Sequence, residues 1–321
     1  MNYLTQRLLT FPLILLGVSV LVFFAIRLVP GDAITAMLGT EAGLLTPAQR
    51  ASLASYFGID QPIVTQYGHW VLGLLQGNFG ISTTYGKPVL PVILARFPLT
   101  LELALFSMVI ALAVGVPAGV FAATHNERPS DLVVRLVAML GQSTPSFVIG
   151  LVFIYVLSVY FHILPAMGSF TSLFSDPLGN LGQMVLPAIT LGFAFAASVT
   201  RVARSAMLDV LGDDYVRTAR SKGAPARSVV WHHALPNALI PVVTLSGVEF
   251  GYLLGGAVIV EQIFALPGVG RLLLGGIFNR DLILVQGTVS FIAAGFVIIN
   301  FLVDMLYAVL DPRVRHVRFR N

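Results

Sequence analysis

Few residues in this sequence have both the type and the spacing to do chemistry, and those few do not converge. His232 and His233 are adjacent; on a helix their side chains point about 100° apart and share no ligand geometry, so they read as part of a basic patch rather than a metal site. Cysteine is absent, which removes thiol nucleophiles, zinc thiolates and disulfides. No glycine-rich run ends in Gly-Lys followed by Ser or Thr, and Lys222 precedes a glycine instead of following one. A P-loop is therefore excluded, and any ATP must be bound elsewhere. No Ser/His/Asp set or carboxylate pair can be assembled. Glu249 is the one acid deep within a long apolar run that suggests a role. Such a residue is costly in lipid and faces a cavity or a partner. It is a candidate for lining a translocation path, with an ion-paired packing residue as the alternative.

The elements that hold these residues belong in a membrane. Hydrophobic residues make up 56% of the 321 and charged residues only 11%, less than half the roughly 25% that a water-facing surface needs. Six apolar runs are each near or above the roughly 20 residues needed to span: Leu8–Leu28, Leu99–Ala123, Leu132–Phe161, Val185–Met207, Leu235–Val260 and Ile283–Leu310. The third contains Pro145 after Ser143-Thr144, which predicts a kink or break. The first has an apolar core too long for a signal peptide and no small-residue cleavage pattern, so it is expected to be an uncleaved helix.

Six spans put both termini on one side. Placing them in the cytoplasm leaves thirteen of the nineteen basic residues inside, as the positive-inside rule requires. The net charge of +4 is then a topology signal and not a nucleic-acid footprint. Residues 30–98 form an external segment too short to bury much core. Thr46-Pro47 predicts a helix start and Gly58 its stop, and a second helix is expected from Pro62 to about Gln76.

The segment Asp213–Pro225 is the most informative. Asp213 and Asp214 open it, Arg220 and Lys222 close it, Gly223 follows and Pro225 forbids continuation, which predicts a short, independently capped helix. A solvated interfacial helix is the plain alternative. In the fifth run Gly247, Gly251 and Gly255 recur every four residues, a ridge that lets a helix backbone approach. Glu249 sits roughly 200° around the same helix from Gly247.

The spacing beyond the capped helix resembles a known loop. Ala219, Gly223 four residues on and Leu235-Pro236 twelve further resemble the cytoplasmic signature loop of ABC importer permeases, whose pattern is Glu-Ala-Ala, three residues, Gly, nine residues, Ile, one residue, Leu-Pro. Arg217 and Thr218 stand at the first two positions and His233 at the Ile position. With those differences the loop is similar to the dipeptide, oligopeptide and nickel branch, where Asp-Tyr-Val-Arg-Thr-Ala-Arg-x-Lys-Gly is usual. Pro30-Gly31-Asp32, Gly77-Asn78-Phe79-Gly80, Asn237-Ala238, Pro267-Gly268-Val269-Gly270-Arg271 and Asp311-Pro312-Arg313 resemble the same branch in the same order.

The resemblance implies an all-α membrane protein of the type I importer permease fold, with six transmembrane helices and a small helical external segment. Its expected parts are a first helix over 1–29, the external segment 30–98, a five-helix core over 99–310 with a coupling loop at 208–234, and a tail over 311–321. It also implies pairing with a second, similar permease, docking of two cytoplasmic ATPases that carry ATP and Mg, and delivery of substrate by an external binding protein. This chain itself is expected to bind no cofactor and to catalyse nothing. Asp214, Tyr215, Arg217, Thr218, Ala219, Arg220, Lys222 and Gly223 would form the coupling helix gripped by an ATPase. Glu261 and Arg271, at the outer end of the fifth run and in the loop beyond, are candidates for a gate or binding-protein contact, with a loop salt bridge as the structural alternative. Di- and oligopeptides are the first cargo reading and nickel or a metal chelate the second, since Leu164–Gly168, Phe264–Arg271 and Phe278–Asp281 are similar to the nickel permeases. An ATPase-independent secondary transporter and an intramembrane enzyme are the competing classes; the first usually needs ion-coupling groups or internal repeats, the second a convergent catalytic set.

Overall fold

A computed structural model describes residues 3–28, 34, 39–58, 60–162 and 170–310. The motifs Pro30-Gly31-Asp32, Leu164–Gly168 and Asp311-Pro312-Arg313, and the tail over 311–321, lie outside the described residues. Helices dominate: α1 Tyr3–Arg27, α2 Pro47–Phe57, α3 Ile63–Leu75, α4 Val89–Thr124, α5 Pro129–Ser143, α6 Ser146–Val159, α7 Pro177–Leu211, α8 Asp214–Ser221, α9 Leu235–Ile263, α10 Val269–Phe278 and α11 Leu282–Leu310. Among the described residues there is no strand beyond one bridge between Ile81 and Pro88. In lipid a backbone must satisfy its own hydrogen bonds, and a helix does so within one segment.

Among the described residues five helical stretches are long and apolar enough to cross a membrane: Leu8–Arg27, Val89–Thr124, Pro177–Leu211, Ala226–Gly255 and Leu282–Val303. The third expected span is instead two helices, α5 and α6, bent by 103°. Counted as one broken crossing, this pair completes the six. The cause is local. Pro145 has no N–H to give and forces the residue before it out of the helical region; Thr144 accordingly sits at φ −93°, ψ 120°, its backbone N–H and hydroxyl both donating to Leu140 O.

The chain divides into two compact units, one of Met1–Pro98 with Gly268–Asn321 and one of Leu99–Pro267. In the first unit α11 packs on α1 and on α10, and α1 on α3. The predicted external helices form with the predicted stops. Thr46 Oγ1 accepts from Gln49 N while Gln49 Oε1 accepts from Thr46 N, a reciprocal capping box. Gly58 ends α2 at φ 64°, where a side chain would be strained. Helix α10, in what the sequence suggested was a loop, packs with the start of α4 and with α11 through a cluster of Val89, Ile93, Val269, Leu272 and Leu284.

In the second unit α7 is the centre, packed against α5, α6 and α9. Close approaches are made by glycines other than those the sequence singled out: a Cβ on Gly192 of α7 would lie 2.6 Å from Ser107 O of α4. A Cβ on Gly115 of α4 would lie 2.7 Å from Ala196 O, and one on Gly119 would lie 2.7 Å from Thr200 O. Here α4 and α7 touch backbone to backbone, as small residues in membrane helices permit.

Asp281, outside the spans, shows how the first unit is fastened. Fully buried, its carboxylate accepts from Ser82 Oγ at 2.5 Å, Thr84 N at 2.9 Å and Leu284 N at 3.0 Å, so it caps α11 and pins the 82–84 turn. Burial pushes the carboxyl pKa up, but the hydrogen bonds outweigh it and hold the group below its ordinary value. Because the folded value is depressed, this contribution to stability is present above the ordinary aspartate range and is lost as pH falls through the folded value. Asp281→Asn should therefore cost about 2–3 kcal/mol near neutrality, read as a lower unfolding temperature in detergent, and the variant should lack the acid-side loss that the native chain shows.

Candidate functional site

Helix α8 forms where its capping signals predict. Asp213 is extended at φ −69°, ψ 150°, Asp214 occupies the first turn and Arg220 the last, complementing the helix dipole. The stop is a Schellman motif: Gly223 N donates to Arg220 O at 2.9 Å and Ala224 N to Ala219 O at 3.2 Å, with Gly223 at φ 84°. A left-handed residue at that point turns the chain sharply toward Pro225.

One side of α8 is anchored. Val216 is fully buried and Ala219 half-buried. The Tyr215 hydroxyl donates to His233 O at 3.3 Å and accepts from Asn237 Nδ2 at 2.7 Å. Tyr215 thus bolts the short helix to the foot of α9. That foot is itself unusual, since Val229–Ala234 runs as a π-helix before α9 begins. Pro236, just inside α9, cannot donate to a carbonyl one turn back, and π segments of this kind cluster at functional sites. Beneath them Val120, Ala123, Ala206, Met207, Ala234 and Ala238 form a buried cluster that joins α4, α7 and α9.

The other side is open. Asp214, Arg217, Thr218, Arg220, Lys222 and Gly223 are exposed. Arg217 and Asp214 approach to 3.5 Å at 71% and 98% side-chain exposure, and such a pair adds almost nothing to stability. The eight residues of the expected coupling helix are thus brought together on one rigid element with a charged outward face.

The remaining candidates are dispersed. On α9, Gly247 and Gly251 are buried, whereas Gly255 is exposed and a Cβ there would meet nothing within 4 Å. Glu249 is half-buried and, among the described residues, has no hydrogen-bond or ion-pair partner. Glu261 is fully buried and accepts from Thr100 Oγ1 at 2.6 Å. Arg271 is half-buried on α10. His232 and His233 are exposed, and among the described residues no group of three or more His, Cys, Asp or Glu could hold a metal ion.

One pair escaped the sequence analysis. Arg204 of α7 binds Asp131 of α5 through two bonds, at 2.6 Å and 2.8 Å, and adds Asn126 Oδ1 at 2.8 Å. Asp131 is 1% exposed, so removing one partner would strand a buried charge. The signal available was Asp131 in a helix's first turn behind Pro129; nothing pointed to a partner 73 positions away.

Comparison with known proteins gives the class. Residues 115–316 match the family described as binding-protein-dependent transport system inner membrane component, and residues 1–104 match the family of its N-terminal part. The chain is 36% identical over 314 residues to a probable peptide ABC transporter permease protein, y4tP, of Sinorhizobium fredii, covering 98% of this chain and 99% of that one. It is 39% identical over 317 residues to the glutathione transport system permease GsiC of Escherichia coli, covering 98% and 99%. The dipeptide transport system permease DppB of the same organism is 39% identical over 323 residues, covering 94% and 95%. Among solved structures, the MetNI methionine ABC transporter in inward-facing conformations aligns with a TM-score of 0.57 at 16% identity, over 68% of this chain and 96% of that one; at that identity the likeness shows the fold. These findings define a multi-pass inner-membrane component of a transport system. The chain belongs to the binding-protein-dependent transport system inner membrane component family, and it is a permease subunit of an ABC importer.

At Gly223 a Cβ would meet no atom within 4 Å, so bulk alone has room and the backbone angle is the constraint. Gly223→Val should cost about 1–2 kcal/mol at the helix stop and depress uptake, while Gly223→Asn, which tolerates the left-handed region, should retain most of it. Initial uptake rates of both variants at matched membrane abundance are the measurement.

Proposed function

We propose that this chain forms one half of the transmembrane channel of an ATP-driven importer for di- and oligopeptides, with both termini cytoplasmic. It pairs with a second, similar permease, docks two ATPases that bind ATP and Mg, and receives substrate from an external binding protein. The chain itself binds no nucleotide and catalyses no reaction. The peptide reading is supported by the peptide, dipeptide and glutathione permeases among its relatives, which favour it over nickel.

The observation that carries the reading is the construction of α8. Its outward face is charged and exposed, and its inward face is fixed by Val216 and by the Tyr215 bonds to His233 O and Asn237. A helix only solvated at an interface has no need of such fastening. In the proposed cycle an ATPase groove holds α8, and closure of the ATPases moves α7 and α9 as a rigid lever, which is what alternating access requires. Glu249, half-buried and without a partner among the described residues, faces the translocation path in this reading.

The absence of cysteine makes the docking directly testable. Arg217→Cys or Arg220→Cys should cross-link to a co-expressed ATPase carrying one engineered cysteine in its groove, whereas a cysteine at exposed Phe174 should not. Equal labelling at both places, or none at α8, overturns the docking. For the path, Glu249→Gln should change the uptake kinetics of a dipeptide by about threefold or more, the order expected for losing one charge-assisted contact. Unchanged kinetics would return Glu249 to packing.

A further inference from the structure

A second polar feature lies within the first unit, away from α8. The end of α1, helices α2 and α3, the 78–80 turn and the start of α11 enclose a cleft of about 490 Å³, within the size range of small-ligand sites. Among its walls are Arg27, Gln66, His69, Trp70, Asn78 and Gln286, and among the described residues that line it none is acidic.

The chemistry of the cleft is unbalanced toward donors. Arg27 lies over the Phe23 ring at 3.4 Å from the centroid. It donates from Nη1 to Phe23 O at 3.3 Å and from Nη2 to Gln66 Oε1 at 2.8 Å, and Gln66 is in turn held by donating to Gln61 O at 2.8 Å. A guanidinium has five N–H donors, so three remain after these two bonds, and no carboxylate among the described residues pairs with it. Gln286, which lines the cleft from α11, has its Nε2 buried with no hydrogen-bond partner among the described residues. A buried donor left unpaired costs free energy until an acceptor arrives. Trp70 and Phe79 are the aromatic residues of the lining, and Trp70 is backed by Phe23 and Tyr67, with ring centroids 5.2–6.2 Å apart among the three.

A fixed cation, an orphaned amide donor on a second element and no competing acid among the described lining residues together select an anionic, acceptor-rich group. We infer that this cleft binds the C-terminal carboxylate of a short peptide, with the Arg27 fork and Gln286 Nε2 as its donors. This rests on the peptide-import reading. A planar carboxylate matches a guanidinium's parallel N–H pair, and a dipeptide backbone fits the volume with an apolar side chain against Trp70. The same donors suit a free phosphate or a lipid phosphate, so the test separates the sources.

The chain has two tryptophans, and Trp231→Phe leaves Trp70, in the cleft wall, as the reporter. The full chain in nanodiscs is titrated with alanyl-alanine, with its C-terminal amide and with inorganic phosphate, in zwitterionic and then in anionic lipid. The dipeptide should change Trp70 fluorescence saturably, and the amide and phosphate should bind at least about tenfold more weakly, as expected for losing a charge-assisted pair. Arg27→Gln and, independently, Gln286→Leu should each weaken the dipeptide while leaving the amide unchanged, and Arg27→Lys should restore part of the preference. The inference is overturned if amide or phosphate binds as tightly as the dipeptide, if anionic lipid abolishes the response, or if neither substitution alters it. Uptake by the complete transporter is scored separately: peptide import without any preference for a free carboxylate sinks the cleft alone, whereas discrimination by Trp70 with no peptide import sinks the proposed cargo.

Discussion

Hydrocarbon offers a backbone amide nothing to bond with, and this governs the design of the whole chain. Each crossing segment closes its hydrogen bonds on itself as helix, so the interiors of the spans are chemically monotonous and the ends of helices carry the distinctions. Several of those ends are finished with specific hydrogen bonds. Thr46 and Gln49 cap α2 reciprocally, Asp281 caps α11 while pinning a turn some 200 residues earlier, and α8 closes on the paired bonds around Gly223. Where Pro145 removes one such bond, the chain bends by 103° instead of continuing.

Stiffness follows from the same economy. In the second unit a force on α8 meets Val216 and Tyr215, then the π turn and α9, then the buried cluster shared with α4 and α7. The Arg204–Asp131 pair ties α7 to α5 close by, and Gly115 and Gly119 let α4 and α7 meet with no intervening side chain. Such interlocked packing moves in discrete steps and does not deform smoothly. That property suits the lever role proposed for α8 and the helices it is fastened to.

Polar chemistry inside the apolar mass is sparse and differs from place to place. Asp131 and Asp281 have every reason to stay ionised, each held by several donors. Glu261 is sealed in with Thr100, and Glu249 stands half-buried without such a partner among the described residues. Equal residue types thus carry unequal meanings, and the difference lies in what surrounds them.

The sequence by itself determined whatever depends on neighbours within about one helical turn or on totals over a window. The apolar runs, the start of α2 at Thr46-Pro47, its stop at Gly58, the break at Pro145 and the capped α8 are all of that kind, because caps and proline effects act over a few bonds and hydropathy is additive. Tertiary structure alone decided the rest: the 103° sense of the break, the burial of Glu261, the match of Arg204 to Asp131, and the anchoring of Tyr215 on Asn237. It also placed Gly115, Gly119 and Gly192 at close contacts between α4 and α7, which their spacing in the sequence does not single out as it does Gly247, Gly251 and Gly255. Each of these is a relation between side chains tens of residues apart, and its free energy depends on which helix faces meet. Every apolar helix offers several faces of nearly equal hydrophobicity, so only the packed fold breaks the tie.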